Sequence, residues 1–329
     1  MRICIFGAGA VGGHLAARLA AAGHEVSVVA RGANLAAIRE KGVALRLGEE
    51  TIGGRVRASD RPAELGPQDI VVSTLKAPGL PALADGIGPL LGRETGVVFA
   101  QNGIPWWYPV GLAAARPKPP NLARLDPGGA LARAVAPERI MGAVVNSSNE
   151  LVEPGVVANA KPHKSVFQIG DGDDGDSANC RAIREALIAA GAECPPVRDI
   201  RKEIWKKLLV NISGSMLCLL TRQQASVVGG DPLLGKIFDR AFAEVVAVAA
   251  AHGIDFSGDK LDPEAVRRNL PQHRPSILQD YELGRPMEIE AIVRAPQVFA
   301  RAAGVATPTL DVIVAVATRL AADKGLYEG

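Results

Sequence analysis

Lys207, Asn211 and Ser215 recur at intervals of four in the run from Glu203 to Met216, a spacing that puts side chains above one another on one face of a helix. Trp205, Leu208, Leu209, Ile212, Met216, Leu219 and Leu220 fall on the opposite, apolar face. Gly214 and Cys218 flank the polar stripe. Both are small, so another surface can come close where a solvent face would carry long charged residues. A lysine held beside a redox cofactor can have its pKa lowered and give its proton to a carbonyl oxygen as hydride reaches the carbon. The competing reading is an exposed lysine above two unrelated polar residues, and the spacing alone does not separate the two.

A second candidate lies at the start of the chain. The strand-like run Met1 to Phe6 passes into Gly7-Ala8-Gly9-Ala10-Val11-Gly12, and a helical stretch from His14 to Ala22 follows before Gly23 and a further strand, Glu25 to Ala30. This is a βαβ unit of about 30 residues with a G-x-G-x-x-G turn. Gly7 permits the tight turn, Gly9 lets a pyrophosphate approach the backbone, and Gly12 lets the helix pack on the strand. Free N–H groups at the helix start attract the phosphates. An ordinary glycine turn, a flavin site and an S-adenosylmethionine site are the alternatives. Where NAD-binding folds place an acidic residue for the ribose hydroxyl, this chain has Arg31, which suits a 2′-phosphate and therefore NADP(H). A solvated arginine heading a helix is the other reading.

Further strands are expected at 43–47, 51–58, 69–75, 95–100, 140–146, 155–158 and 165–170, with a short helix from Asn34 to Lys41. Lys76 follows the third of these and Gln101-Asn102-Gly103 the next. In an open parallel sheet, ligands lie outside the carboxyl ends of the strands, so the Gly7 loop, Arg31, Lys76 and Asn102 are expected at one edge. Singly, Lys76 reads as a solvated lysine and Asn102-Gly103 as a turn. Trp106, Trp107 and Tyr108 sit in the following loop, either as a wall for ligand or as packing that anchors the loop. The Pro-, Gly- and Ala-rich stretch 113–138 reads as an insertion over the sheet. The acidic run Asp171 to Asp176 lacks the glycine and glutamate of a calcium loop, and Ser177 is placed to cap a helix from Ala178 to Ala190.

The chain has 329 residues, enough for two domains. Its 37 basic and 35 acidic residues leave a net charge of +2 without like-charge blocks, so neither nucleic acid nor an anionic membrane is an expected partner. His14 and Arg18 interrupt what would otherwise mimic a signal peptide, and no run approaches the ~18 apolar residues of a membrane span. Four scattered cysteines suggest reduced core thiols and a cytoplasmic protein. No metal site is expected, and His252 and His273 read as structural. After residue 199 the pattern is helical, with segments at 231–252, 263–269, 289–303 and 307–323.

The chain resembles the ketopantoate reductase family in the Gly7 to Gly12 loop, Thr74-Leu75-Lys76, Gln101-Asn102-Gly103, Trp205-Lys206-Lys207-Leu208-Leu209-Val210-Asn211, and Ser276-Ile277-Leu278-Gln279-Asp280 with Arg285-Pro286-Met287-Glu288-Ile289-Glu290. The resemblance implies NADPH-dependent reduction of 2-dehydropantoate to pantoate, a step of pantothenate biosynthesis. It implies Lys207 as the catalytic lysine and Glu288 as the substrate-binding carboxylate, with Ser276 and Asn211 also on substrate. Asn102 and Lys76 would serve cofactor and substrate between them. A 2-oxo acid has a carboxylate needing donors and a carbonyl needing an acid, which lysine, asparagine and serine supply. Ser215 stands where the family commonly has a second asparagine, and 221–226 lacks another. Those groups serve the substrate's hydroxyl-bearing end, so a different branched or aromatic 2-oxo acid is the rival substrate. A non-catalytic NADPH-binding regulator is the rival of another class.

The expectation is therefore an α/β chain: a Rossmann-type NADP-binding domain over 1–198 and an all-helical substrate domain over 199–329. Its ligands are NADP(H) and a 2-oxo acid, and a homodimer is the assembly considered.

Overall fold

The computed structural model describes residues 1–161 and 165–328. Positions 162–164 of the expected first domain and Gly329 of the second lie outside the described residues. The chain separates into two compact units, one of 1–101, 110–112 and 126–200, the other of 102–109, 113–125 and 201–329. A single cut near 198 thus omits two stretches, 102–109 and 113–125, that group with the helices. The latter is half of the segment expected to lie over the sheet.

The first unit carries β1 (Arg2–Phe6), α1 (Ala10–Ala21), β2 (Glu25–Val29), α2 (Gly32–Lys41), β3 (Val43–Leu47), β4 (Glu50–Gly54), β5 (Arg57–Ser59), β6 (Gln68–Ser73), α3 (Leu80–Gly86), β7 (Leu91–Phe99), α4 (Ala130–Ala134), β8 (Ile140–Asn146), β9 (Asn149–Glu153), β10 (Val156–Asn159), β11 (Val166–Asp171) and α5 (Ala178–Ala189). Seven strands form one sheet in the order β11-β8-β7-β6-β1-β2-β5, all neighbours parallel except the antiparallel edge strand β11. Ile3, Ile5, Val28, Ile70, Val72 and Val98 are buried, as β-branched runs in a sheet covered on both faces must be. The strand order reverses between β1 and β6, and that break is where such sheets bind ligands.

The expected strand 51–58 is two strands. β4 pairs with β3 in a second sheet, β4-β3-β10-β9, while β5 crosses to pair with β2. Gly53, with φ of +156°, has its α-hydrogens against Val43, where a Cβ would lie 2.0 Å from the Val43 carbonyl oxygen. β9 is not among the expected strands, because four of its five residues, Glu150 to Glu153, are exposed.

α1 packs against β2 in the main sheet and against β3, β4, β9 and β10 in the second, which explains why it is buried almost all round. That burial takes His14 and Arg18 out of water. Arg18 Nε donates to His14 Nε2 at 2.8 Å, so His14 Nδ1 carries the ring proton and donates to Asn149 Oδ1 at 2.8 Å. Burial first, and Arg18 second, push the His14 pKa down to about 4, so the ring is neutral at physiological pH. Arg18 also donates to the carbonyls of Ala190 and Gly191, which end α5.

Ser177 Oγ accepts from the Cys180 N–H and caps α5. Asp171 accepts from the Ser177 backbone and hydroxyl, and Asp176 binds Arg181 and Arg184. The acidic run is therefore a set of turn and cap bonds, and among the described residues no group of acids, His or Cys could hold a metal. All four cysteines are free and buried.

The helical unit contains α6 (Ile200–Val210), whose first residue still counts with the sheet, α7 (Met216–Thr221), α8 (Ala225–Gly230), α9 (Pro232–Ala251), α10 (Pro263–Arg268), α11 (Ser276–Glu282), α12 (Ala295–Ala302) and α13 (Pro308–Asp323). π turns at Asn211–Ser215 and Glu290–Arg294 lead into α7 and α12. The stretch Ile200–Thr221 is long and apolar enough for a membrane span by length and composition, a match that sequence reading did not foresee, but most of it is buried inside the protein, as in a core helix. Phe238 of α9 fills the space left by Gly214, where a Cβ would come within 3.2 Å of its ring. The surface that approaches beside the polar stripe is thus another helix.

A methyl group at Gly12 would lie 1.9 Å from the Gly7 carbonyl oxygen and 2.5 Å from Thr74 Oγ1. Gly12→Ala is expected to destabilise the first unit by about 2–4 kcal/mol, read as a lower denaturant midpoint, whereas Gly9→Ala, which meets nothing within 4 Å, should leave the midpoint within about 1 kcal/mol.

Candidate active site

The glycine loop leaves β1 at the strand-order break. Gly7 has φ of +107°, a left-handed value that favours glycine. Its carbonyl accepts from Thr74 Oγ1 at 2.6 Å, while the Thr74 N–H donates to Phe6 O at 3.0 Å. Thr74 thereby joins the ends of β1 and β6. Gly9 is the N-cap of α1 and supplies no side-chain acceptor, so the first N–H groups of the helix face outward without a cap. With open space where a Gly9 Cβ would be, the loop fits a pyrophosphate.

Asn34 was not singled out from the sequence, yet its amide donates to Ala8 O and accepts from the Gly155 N–H at 2.6 Å. It ties the loop to α2 and to the second sheet. Its only sequence signal is a polar residue in the first turn of a helix, which is too common to notice. Arg31 is the exposed N-cap residue of α2, just past the end of β2. Lys76 is exposed two residues past Thr74. The glycine loop, Arg31 and Lys76 therefore follow the carboxyl ends of β1, β2 and β6.

In the helical unit, Lys207 lies in the last turn of α6 and is half-buried, as are Asn211 and Ser215. An α-helix turns about 100° per residue, so side chains four apart drift by roughly 40° at each step. The π turn that begins at Asn211 rotates less per residue and brings Ser215 back toward the line of Lys207. Ser213 Oγ bonds to Leu209 O within this turn, and the Met216 N–H reaches Asn211 O. Burial pulls the Lys207 ammonium from its usual 10.5 down to about 8, and the nearby Glu288 carboxylate opposes part of that fall.

Glu288 is 4% exposed, unlike the surface carboxylate that composition alone suggests. It accepts from Asn102 Nδ2 at 3.1 Å, although 186 residues separate the two. Lys207, Asn102 and Glu288 are thus brought together, with the Asn211–Ser215 π turn against the one that begins at Glu290. Ser276 is exposed and opens α11.

The second π turn cannot continue past Ala295. The Ala295 N–H bonds to Glu290 O, five residues back. The next bond in that register would run from residue 296 to Ala291 O, but residue 296 is proline and has no N–H. The Ile104 N–H takes that carbonyl at 2.8 Å. Gly103, with φ of +79°, allows the approach, since a Cβ there would lie 2.4 Å from Ala291 C and O. Asn102 is held at Glu288 by this contact. Beyond it, Trp107 and Tyr108 are buried and do not form a free wall. Arg201, wholly buried, donates from Nε to Tyr108 O at 2.9 Å and lies 5.7 and 5.4 Å from the Trp107 and Tyr108 ring centroids. Trp205 Nε1 donates to Tyr108 Oη at 2.9 Å. The helix bearing Lys207 therefore anchors the loop bearing Asn102. Neither Arg201 nor Pro296 stood out in the sequence, because Arg201 acts through a backbone carbonyl 93 residues away and the carbonyl near Pro296 is bonded by Ile104, far away in the chain.

The family model described as Ketopantoate reductase PanE/ApbA matches residues 3–115, and its C-terminal model, Ketopantoate reductase PanE/ApbA C terminal, matches 199–321. A 2-dehydropantoate 2-reductase of Mesorhizobium japonicum is 39% identical over 99% of this chain and 100% of its own length. A crystal structure from Ralstonia solanacearum, described as a ketopantoate reductase, superposes with a TM-score of 0.88 at 35% identity and covers 99% of both chains. D-mandelate dehydrogenase in a ternary structure with NADH shares the fold, with a TM-score of 0.83 at 21% identity over 99% of this chain and 100% of its own.

Replacing Pro296 by alanine supplies an N–H that competes for Ala291 O. In Pro296→Ala, the Ile104 amide is expected to exchange its hydrogen about tenfold faster, as loss of roughly 1.4 kcal/mol of protection requires, and amide-resolved exchange measures it.

Proposed function

As a member of the ketopantoate reductase family, the chain is an oxidoreductase, and we propose that it reduces a 2-oxo acid to the 2-hydroxy acid with NADPH, 2-dehydropantoate being the first candidate substrate. The observation that carries this reading is Lys207, held near pKa 8 beside the buried carboxylate of Glu288, itself bonded by Asn102. A bound reduced nicotinamide supplies hydride to the carbonyl carbon. Lys207 gives its proton to the carbonyl oxygen, which becomes the new hydroxyl. With a pKa near 8 the lysine is still mostly protonated at pH 7 and a stronger acid than a free one. Asn211 and Ser276 donate to the substrate carboxylate, Glu288 accepts from substrate and keeps Lys207 charged, and Ser215 borders the remainder. The Gly7 to Gly12 loop holds the pyrophosphate, Arg31 the 2′-phosphate, and Lys76 and Asn102 contact cofactor.

Ser215 supports a second reading. A hydroxyl is shorter than the carboxamide the family commonly places there, which leaves room for a bulkier 2-oxo acid. NADPH oxidation over a panel of 2-oxo acids with and without a 4-hydroxyl decides the substrate, and a panel with no turnover would refute the enzymatic reading.

Lys207→Ala is expected to lower kcat by about 10²–10⁴ while the NADPH dissociation constant stays within about twofold; an unchanged kcat removes the lysine as acid. Because protonated Lys207 is the active form, kcat/KM should fall above about pH 8. Glu288 raises the lysine's pKa, so in Glu288→Gln the residual activity should decline from a lower pH. In Arg31→Ala the preference for NADPH over NADH should shrink by about tenfold, and equal use of both by the unaltered protein would count against this role.

A further inference from the structure

The turn that follows α13 touches both segments assigned to substrate in the helical unit. Lys324 Nζ lies 4.0 Å from the Tyr281 ring centroid and donates to Tyr281 O at 3.4 Å, and Tyr281 belongs to α11, which begins at Ser276. Leu326 O accepts from the Met287 N–H at 2.9 Å, one residue before Glu288. Tyr327 Oη donates to Glu290 Oε2, two residues after it, and accepts from Arg124 Nη2 at 3.3 Å. Arg124 Nε completes a triangle with Glu290 Oε2 at 3.1 Å, and Arg294 Nε approaches the same oxygen at 3.6 Å.

These bonds meet a physical need. α11 has only seven residues, too few to hold its shape alone, and 283–286 is exposed and outside any helix or strand. Ser276 and Glu288 therefore depend on supports from elsewhere in the fold.

We propose that residues 324–327 are a positioning element, in which Lys324 steadies the Ser276 helix while Leu326 holds the Met287 backbone and Tyr327 the Glu290 side chain, on either side of Glu288, for the 2-oxo acid. This rests on the substrate role given above to Ser276 and Glu288. The Tyr327 hydroxyl acts through Glu290.

The test compares Tyr327→Phe and a chain ending at Asp323 with the unaltered protein, measuring KM and kcat for the best 2-oxo acid, the NADPH dissociation constant, the thermal midpoint and hydrogen exchange over 276–294. Tyr327→Phe should raise KM on the order of tenfold through two lost hydrogen bonds, with kcat and NADPH affinity changed less than twofold, and should speed exchange at 287–294. The shortened chain should raise KM further and extend the faster exchange to 276–282. Unchanged exchange in both variants overturns the clamp. Faster exchange with unaltered KM, or KM rising only in step with a falling thermal midpoint and weaker NADPH binding, overturns its positioning role. If the unaltered protein reduces no 2-oxo acid, the functional reading fails, and the exchange result still decides whether the clamp exists.

Discussion

The arrangement of the helical unit depends on a hydrogen bond that the chain cannot make with itself locally. Pro296 offers no N–H to the carbonyl of Ala291, and the Ile104 N–H takes that acceptor instead. A buried carbonyl without a donor is costly, so the vacancy selects a partner, and Gly103 is the residue that lets the partner's backbone come near enough. Asn102 follows from that contact, and its bond to Glu288 follows from Asn102. The widened turn beginning at Glu290 and the 102–109 stretch that groups with the helices meet at this bond.

α6 meets the same stretch at Tyr108. Arg201 and Trp205 bind the backbone and hydroxyl of Tyr108, and Lys207 projects from the same helix less than two turns later. Lysine, asparagine and glutamate are therefore referred to one rigid frame. A guanidinium that is wholly buried would be expensive alone; here a carbonyl and two aromatic faces replace its water. The lysine keeps its burial without full compensation, and its lowered pKa is the consequence.

In the sheet unit the governing constraint is distance. Gly12 must approach the Gly7 carbonyl, and Thr74 bonds to that same oxygen, so β1, α1 and β6 converge on one atom. α1 then serves two sheets, which leaves His14 and Arg18 nowhere to meet water. They bond to each other and to Asn149 and the end of α5. The residues that seemed only to interrupt an apolar leader are a buried polar tie from α1 to the second sheet and to the end of α5.

The sequence by itself determined the elements whose causes are local. The glycine turn, the β-branched strands β1, β2, β6 and β7, the cap at Ser177 and the four-residue spacing of Lys207, Asn211 and Ser215 follow from neighbours a few residues apart. The resemblance to ketopantoate reductases rested on the same short motifs, and the family matches agree with it. Only the tertiary structure decided that Glu288 is buried, that Asn102 belongs with the helices, that Trp107 and Tyr108 are an anchor, and that Asn34, Arg201, Pro296 and Tyr327 matter. Each of these depends on a polar group meeting a partner distant in the chain or on a backbone group left without one. Pattern along a chain records propensity and periodicity, but it does not record which carbonyl is left over.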